Sequence, residues 1–308
     1  MLSENCPIFG PEAEVYLQDL LFTITIKRRH LLIRPSPARL RQLLPAHLWN
    51  LYGEYLVQAS KQAVNSPQKW VHSGDCDHCD VAKLAHFCEL PTVLIVENIA
   101  TDGEWVKFIV SKLRPRLTRY LSGRHIGLEV RQAGGIGEIP KELERVVDRY
   151  RKALPHDSIP LRVIALADSD SISPGNLSLN AREVRRMATR LGATSHILTK
   201  RTIENYVPDG SLRMYAIHRP NYAAAIRFIV SLTGPARDHY PMKEGLKESE
   251  LEATGSMYPP STPLGLKIGD FIIDFINDMT PLVDSSELRQ RDGKNELEDF
   301  LNLLEENL

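Results

Sequence analysis

The residues with the clearest capacity for chemistry are acidic, and they stand at the ends of apolar runs. Glu97 closes VLIV, while Asp168 and Asp170 close VIALA as Asp-Ser-Asp. Asp102 and Glu104 lie just past Glu97, and Glu204 lies just past TSHILT. Three carboxylates brought within a few ångströms repel, and one of them stays protonated unless a cation joins the group. Mg²⁺ and Mn²⁺ take carboxylate oxygens and keep open positions for water and phosphate. Ions held in this way activate water and stabilise the leaving oxygen in phosphodiester cleavage. Asp and Ser also cap helices and build turns, so an Asp-x-Asp run by itself has an ordinary structural explanation. A glutamate ending the first strand of the same array turns the reading toward a metal.

Elements of the right type are present to bring these residues together. Pro91–Asn98, His125–Gln132 and Leu161–Asp168 read as strands, with Thr194–Thr199 a weaker fourth. Residues 103–113 put Val106, Ile109, Val110 and Leu113 on one helical face. Residues 139–154 place Ile139, Leu143, Val146, Val147, Tyr150 and Leu154 at helical spacing. Asn180 and Glu183 form a capping-box pattern ahead of a helix that turns Val184, Met187, Ala188 and Leu191 inward. The order β-α-β-α-β-α-β, with strands apolar along their length, predicts an α/β fold with a largely parallel, Rossmann-like sheet flanked by helices. Ligands in such sheets gather at the carboxyl ends of the strands, where the acids stand.

Three regions are expected: a mostly helical N-terminal region over 1–90, a core over 91–207 and a helical C-terminal region over 208–308. In the last, helices are expected over 213–232, 267–279 and 286–307, with a loop over 233–265. Leu297, Phe300, Leu301 and Leu304 share one face of the final helix.

The stretches VLIVENIATDGEWVKFIV and VIALADSDS resemble the TOPRIM domain of topoisomerases, bacterial primases and overcoming-lysogenization-defect (OLD) nucleases. That pattern is an apolar strand ending in Glu, usually followed by Gly, and a later strand ending in Asp-x-Asp. Asn98 stands here where the Gly is usual. LTKRTIENYVP is similar to a segment of the TOPRIM nucleases of phage-defence systems, both OLD-like and ABC-ATPase-associated, and RQAGGIGEI fits their glycine-rich turn. The resemblance covers about residues 91–207. It implies a Mg²⁺- or Mn²⁺-dependent endonuclease acting on DNA or structured RNA such as tRNA, the toxic effector of an anti-phage system. Glu97, Asp168 and Asp170 would bind the metal, Asp102 would support them, and Glu204 would be a further metal or water ligand. Lys243, within DHYPMKEGL, is the candidate to face the scissile phosphate; Lys200 and Arg201 are nearer in sequence to the acids. For Glu204 the plain alternative is a carboxylate facing a helix dipole, and for Lys243 a solvated lysine. No GxxxxGK[ST] motif is present, so a separate ATPase or sensor partner is expected to restrain or release the enzyme, with a homodimer as a candidate assembly. Two other readings stay open: a catalytically silent TOPRIM-fold interaction subunit, and a small-molecule phosphohydrolase with Asp168 as nucleophile.

Cys76, Cys79, His86 and Cys88 are four soft ligands in thirteen residues and could build a structural Zn²⁺ site, or be free thiols. Lys27, Arg28, Arg29, Arg34, Arg39 and Arg41 form one basic group, and Arg114, Arg116, Arg119 and Arg124 a second. Either could track phosphates or line a solvated helix face. The formal net charge of -1 means that any anion-binding surface comes from local arrangement. No apolar run approaches the roughly 20 residues that span a bilayer, and MLSENCPIFGPEAE lacks a signal-peptide layout. A cytoplasmic protein with no membrane partner is expected.

Overall fold

A computed structural model describes residues 90–121, 127–154 and 161–308, with scattered positions between 41 and 53. Most of the helical region expected over 1–90, residues 27–39 of the first basic group, Arg124 and the Cys76, Cys79, His86 and Cys88 cluster lie outside the described residues. The chain divides into two units. One comprises Met1–Pro91, Val146–Leu161 and Leu308; the other comprises Thr92–Arg145 and Arg162–Asn307 and carries the sheet and the acids.

The sheet has four parallel strands, β1 (Thr92–Val96), β2 (Leu128–Gln132), β3 (Val163–Ala167) and β4 (Thr194–Ile197), in the order β2-β1-β3-β4. Every residue of β1 and β3 is buried. This follows from their lack of alternation: a central parallel strand covered on both faces needs apolar side chains at every position. The edge strands differ. β2 is buried at Leu128 and only partly covered beyond it, and its Arg131 pairs with Glu129 and with Glu142 at 2.9 Å. Charged pairs of this kind keep a sheet edge from recruiting another chain.

Helix α1 (Glu104–Leu113) follows β1, α2 (Ile139–Ala153) follows β2 and α3 (Leu179–Leu191) follows β3. On α1 the expected inward set is buried, and so are Trp105 and Phe108. A second covering layer explains the wider apolar surface. The C-terminal part continues with α4 (Asp209–His218), α5 (Ala223–Ile229), α6 (Ile272–Met279), α7 (Ser285–Asp292) and α8 (Glu296–Asn307). Phe275 of α6 meets Phe108 edge-on, with ring centroids 6.4 Å apart. Thr92 donates to the Asn307 carbonyl, tying β1 to the end of α8. Replacing Leu94, fully buried in β1, with Ala would cost about 2–5 kcal/mol.

Four boundaries differ from the sequence expectation. The cap of α3 is Ser178, whose hydroxyl accepts from Ala181 N at 3.1 Å, rather than Asn180. The helix expected over 213–232 is two, α4 and α5, separated by Pro220. The expected loop 233–265 contains short helices at Gly234–Asp238 and Glu248–Thr254. The last helix breaks at Gly293, which takes φ +73 after α7. Among the described residues no helix is long and apolar enough to cross a membrane.

Candidate active site

The acidic residues reach one edge of the sheet because β1 and β3 are parallel neighbours. Their register pairs Ile95 with Ala165, so Glu97 and Asp168 leave adjacent strands at nearly the same level. Beyond β1 the turn is built locally. The Glu97 carbonyl accepts from Gly134 N at 3.0 Å and the Val96 carbonyl from Ala133 N at 2.9 Å, fastening the glycine turn after β2 against the end of β1. Gly134 and Gly135 take φ +91 and +137 there, a region that favours glycine.

Asn98 explains its own presence. Its side chain accepts from Ala100 N at 2.9 Å, capping a single π-helical turn over Ile99–Gly103. Its backbone N–H donates to Asp102 Oδ2 at 2.9 Å, and Thr101 donates to Asp102 Oδ1 at 3.1 Å. Asn98 has φ -135, an extended value open to any residue. Asp102 is therefore held inside its own turn as well as facing the acids.

The loop after β3 is stitched to the loop after β4. Ser169 donates to the Lys200 carbonyl at 2.7 Å, Asp170 N donates to the Arg201 carbonyl at 3.1 Å, and Asp168 Oδ1 accepts from Ile203 N at 3.2 Å. Asp170 adopts φ +46, a left-handed conformation that Asp enters more readily than most residues. The segment Ile203–Tyr206 is one 3₁₀ turn, capped by Thr202 and Asn205. The backbone N–H and hydroxyl of Thr202 both donate to Asn205 Oδ1 at 3.0 Å.

Glu204, in that turn, is completely buried. Its Oε2 has no hydrogen-bond partner. Its counter-charge is Lys243, whose Nζ lies 3.1 Å from Oε1. Glu204 does stand in the first turn of this short helix, as the helix-dipole alternative expects, while Thr202 and Asn205 do the capping. Lys243 is not an isolated solvated lysine: its side chain is 36% exposed and its ammonium faces the acids. Lys200 and Arg201 are engaged elsewhere, Lys200 with Asp238 at 2.7 Å and Arg201 with Glu250 at 2.7 Å.

Electrostatics confirm that these groups act on one another. Burial pushes Asp168 well above the usual carboxylate range, and the charges of Glu204, Asp102 and Asp170 push it further. Burial, then Asp102 and Asp170, raise Glu97. Burial raises Asp102 against its two local hydrogen bonds. Burial also raises Asp170, opposed by Arg201 and Lys243. Burial alone would lower Lys243, but Glu204, Asp168 and Asp102 hold it above the ordinary lysine value. The charge of Lys243 acts on Glu97, Asp102, Asp168 and Asp170 alike.

Among the described residues, no group of three or more His, Cys, Asp or Glu side chains is placed to hold a metal ion. The arrangement is instead an acidic rim with excess negative charge and one buried, under-bonded carboxylate. That donor set, all oxygen, suits a hard divalent ion.

The second basic group is spent on packing where it is described. Arg114 reaches Glu298 and Asn302, each at 2.9 Å, and Arg116 reaches Glu305 at 2.8 Å. Arg119 lies over the Tyr120 ring.

Several residues that shape the rim carried no signal in the sequence reading. Asp238 accepts from both Lys200 and Arg291; Asn205 Nδ2 donates to the carbonyls of Arg237 and Tyr240; His239 Nδ1 lies 3.0 Å from the Ser171 carbonyl. Glu296, read only as part of an amphipathic helix, accepts from Thr199 N at 2.7 Å and from the Tyr206 hydroxyl. Asp238 and His239 had a hint, lying in the stretch that contains Lys243, and Lys200 and Asn205 lie within LTKRTIENYVP; Arg291 and Glu296 had none. No family model, curated protein or solved structure matches this chain.

Proposed function

We propose that the protein is a TOPRIM-type, metal-dependent endonuclease that cleaves phosphodiester bonds in DNA or structured RNA such as tRNA. The observation that carries this reading is the convergence of Glu97, Asp102, Asp168, Asp170 and Glu204 at the carboxyl edge of a parallel sheet, with Glu204 buried and under-bonded. Glu97, Asp168 and Asp170 would hold Mg²⁺ or Mn²⁺, with Asp102 and Glu204 supporting them. A bound ion of this kind supplies an activated water and neutralises charge on the leaving oxygen.

The chain's own residues do the rest. Asp168 is oriented by Ile203 N and Asp170 by the pairing of its backbone with Arg201. Lys243 places a fixed positive charge against the acids, where it would meet a phosphate and balance the charge that grows on it. Glu97 leaves a strand whose every residue is buried, so its backbone is rigid. On this reading the enzyme is an effector of anti-phage defence, and a separate ATPase or sensor restrains it.

The test is cleavage of plasmid DNA and total tRNA by the wild type and Asp168→Ala with Mg²⁺, Mn²⁺ or EDTA. Metal-dependent cleavage lost in the variant supports the reading and names the polymer. Hydrolysis of nucleotides or sugar phosphates with no cleavage of either polymer contradicts it.

A further inference from the structure

Lys243 comes from a segment 39 residues beyond Glu204, and the structure accounts for how that segment is held. The side chain of Asp238 accepts from Lys200 Nζ at 2.7 Å and from Arg291 at 2.6 Å, both on Oδ1. Its backbone carbonyl accepts from Arg201 N at 3.0 Å. Arg291 also donates through Nε to the Asn205 carbonyl at 2.9 Å, in the same turn as Glu204. Asn205 Nδ2 bonds the carbonyls of Arg237 and Tyr240 on either side of Asp238 and His239. His239 in turn reaches the Ser171 carbonyl, one residue past the Asp-Ser-Asp run. Downstream, Gly245 N bonds the Pro241 carbonyl at 2.7 Å, closing the turn that presents Lys243. A Cβ on Gly245 would fall 2.4 Å from the Gly265 backbone, so this turn is pinned on both sides.

The pairs are largely sheltered: the Lys200 side chain is 7% exposed and that of Arg291 15%. Sheltered, charge-assisted bonds of this kind are stronger than surface pairs and fix geometry. Two cations meet on one carboxylate oxygen, so loss of Asp238 leaves both without that partner.

We infer that Asp238 and Arg291 are positioning residues that hold Lys243 against the acidic rim, linking α7 to the site through the Asp238 clasp. The inference rests on the proposed reading for what Lys243 does, but not for where it is held. Neither residue meets the acids directly; Asp238 acts through the 237–243 segment, and Arg291 acts through Asp238 and through its bond to the Asn205 carbonyl in the Glu204 turn. Substituting them frees Lys243 without removing any acid.

The experiment compares wild type, Asp238→Asn, Arg291→Met, Lys243→Met and the Arg291→Met/Lys243→Met double variant. Two quantities are read: the acetylation rate of Lys243 by mass spectrometry, and the affinity for Mn²⁺. In Asp238→Asn and Arg291→Met, Lys243 should label about tenfold faster as its held population falls, while Lys107, on the outer face of α1, labels at an unchanged rate. Lys243→Met should bind Mn²⁺ about tenfold more tightly, because a positive charge beside the rim is gone. Arg291→Met should move affinity in the same direction, and the double variant should bind no more tightly than Lys243→Met alone. A merely structural role for Arg291 would give an effect that adds to that of Lys243→Met. Lys243 labelling at the wild-type rate in both single variants overturns the inference, as does full additivity. If no form binds Mn²⁺, the metal reading fails and the labelling alone decides the clasp.

Discussion

Lys243 Nζ lies 3.1 Å from Glu204 Oε1, and Glu204 is completely buried, with no hydrogen-bond partner for its Oε2. One ammonium thus faces a carboxylate that the fold has removed from water, beside four further acids. A buried ion pair of this kind adds little net stability against an apolar pair of the same shape, whereas breaking it is costly. On the proposed reading, its place at the end of a parallel sheet reflects binding of a metal ion by these acids.

Removing one charge from the rim should stabilise the metal-free protein. Asp168 is raised well above the usual carboxylate range by burial and by its acidic neighbours, so its ionised form is disfavoured in the fold. Asp168→Asn keeps an oxygen for Ile203 N and should gain about 1–2 kcal/mol at neutral pH in EDTA. In Mg²⁺ the order should reverse, since only the wild type gains from binding. Urea melts in the two buffers read both effects.

Asp170 combines a functional charge with a left-handed backbone at φ +46. Asp170→Gly should raise metal-free stability by less than about 1 kcal/mol, since relief of repulsion is partly offset by the backbone entropy of glycine, while abolishing cleavage. Thermal melts and a nicking assay on the same preparation check the pair of outcomes.

Glu296 gives a pH signature away from the rim. Burial alone would raise it, but bonds from His196, Thr199 and Tyr206 hold it below the ordinary carboxylate value. A depressed folded value means stability that is present above the unfolded pKa and lost as pH falls through the folded one. Glu296→Gln should cost about 2 kcal/mol at pH 7, and the gap to wild type should close as pH drops below the ordinary carboxylate range. Tm as a function of pH for both proteins measures it.

Arg116 pairs with Glu305, but its side chain is 68% exposed. Arg116→Ala should change stability by less than about 0.5 kcal/mol. Cleavage should also be unchanged if this basic group serves packing, a point settled by comparing kcat/KM with that of wild type.

The parts legible in sequence were those whose signal is local. β1 and β3 are doubly covered, and VLIV and VIALA say so without alternation. The acids at their ends followed, because parallel neighbours deliver their carboxyl ends to one edge. The cap of α3 was misplaced by two residues because Ser178 and Asn180 are equally good caps; the bond from Ser178 N to the Ser169 carbonyl fixes the chain there. Pro220 and Gly293 are the breakers that divide the helices expected over 213–232 and 286–307; the apolar face of Leu297, Phe300, Leu301 and Leu304 lies wholly beyond Gly293. The contacts of Asp238 with Lys200 and Arg291, and of Glu296 with Thr199 and Tyr206, span 38 to 97 residues. No periodicity encodes them, since they arise only when the 237–243 segment, α7 and α8 return to the sheet.

The most direct test of the central claim is calorimetric titration of Mn²⁺ into the wild type and Asp168→Ala. Saturable binding by the wild type that disappears in the variant is the predicted result. No binding, or equal binding by both proteins, would contradict a metal centre formed by these acids.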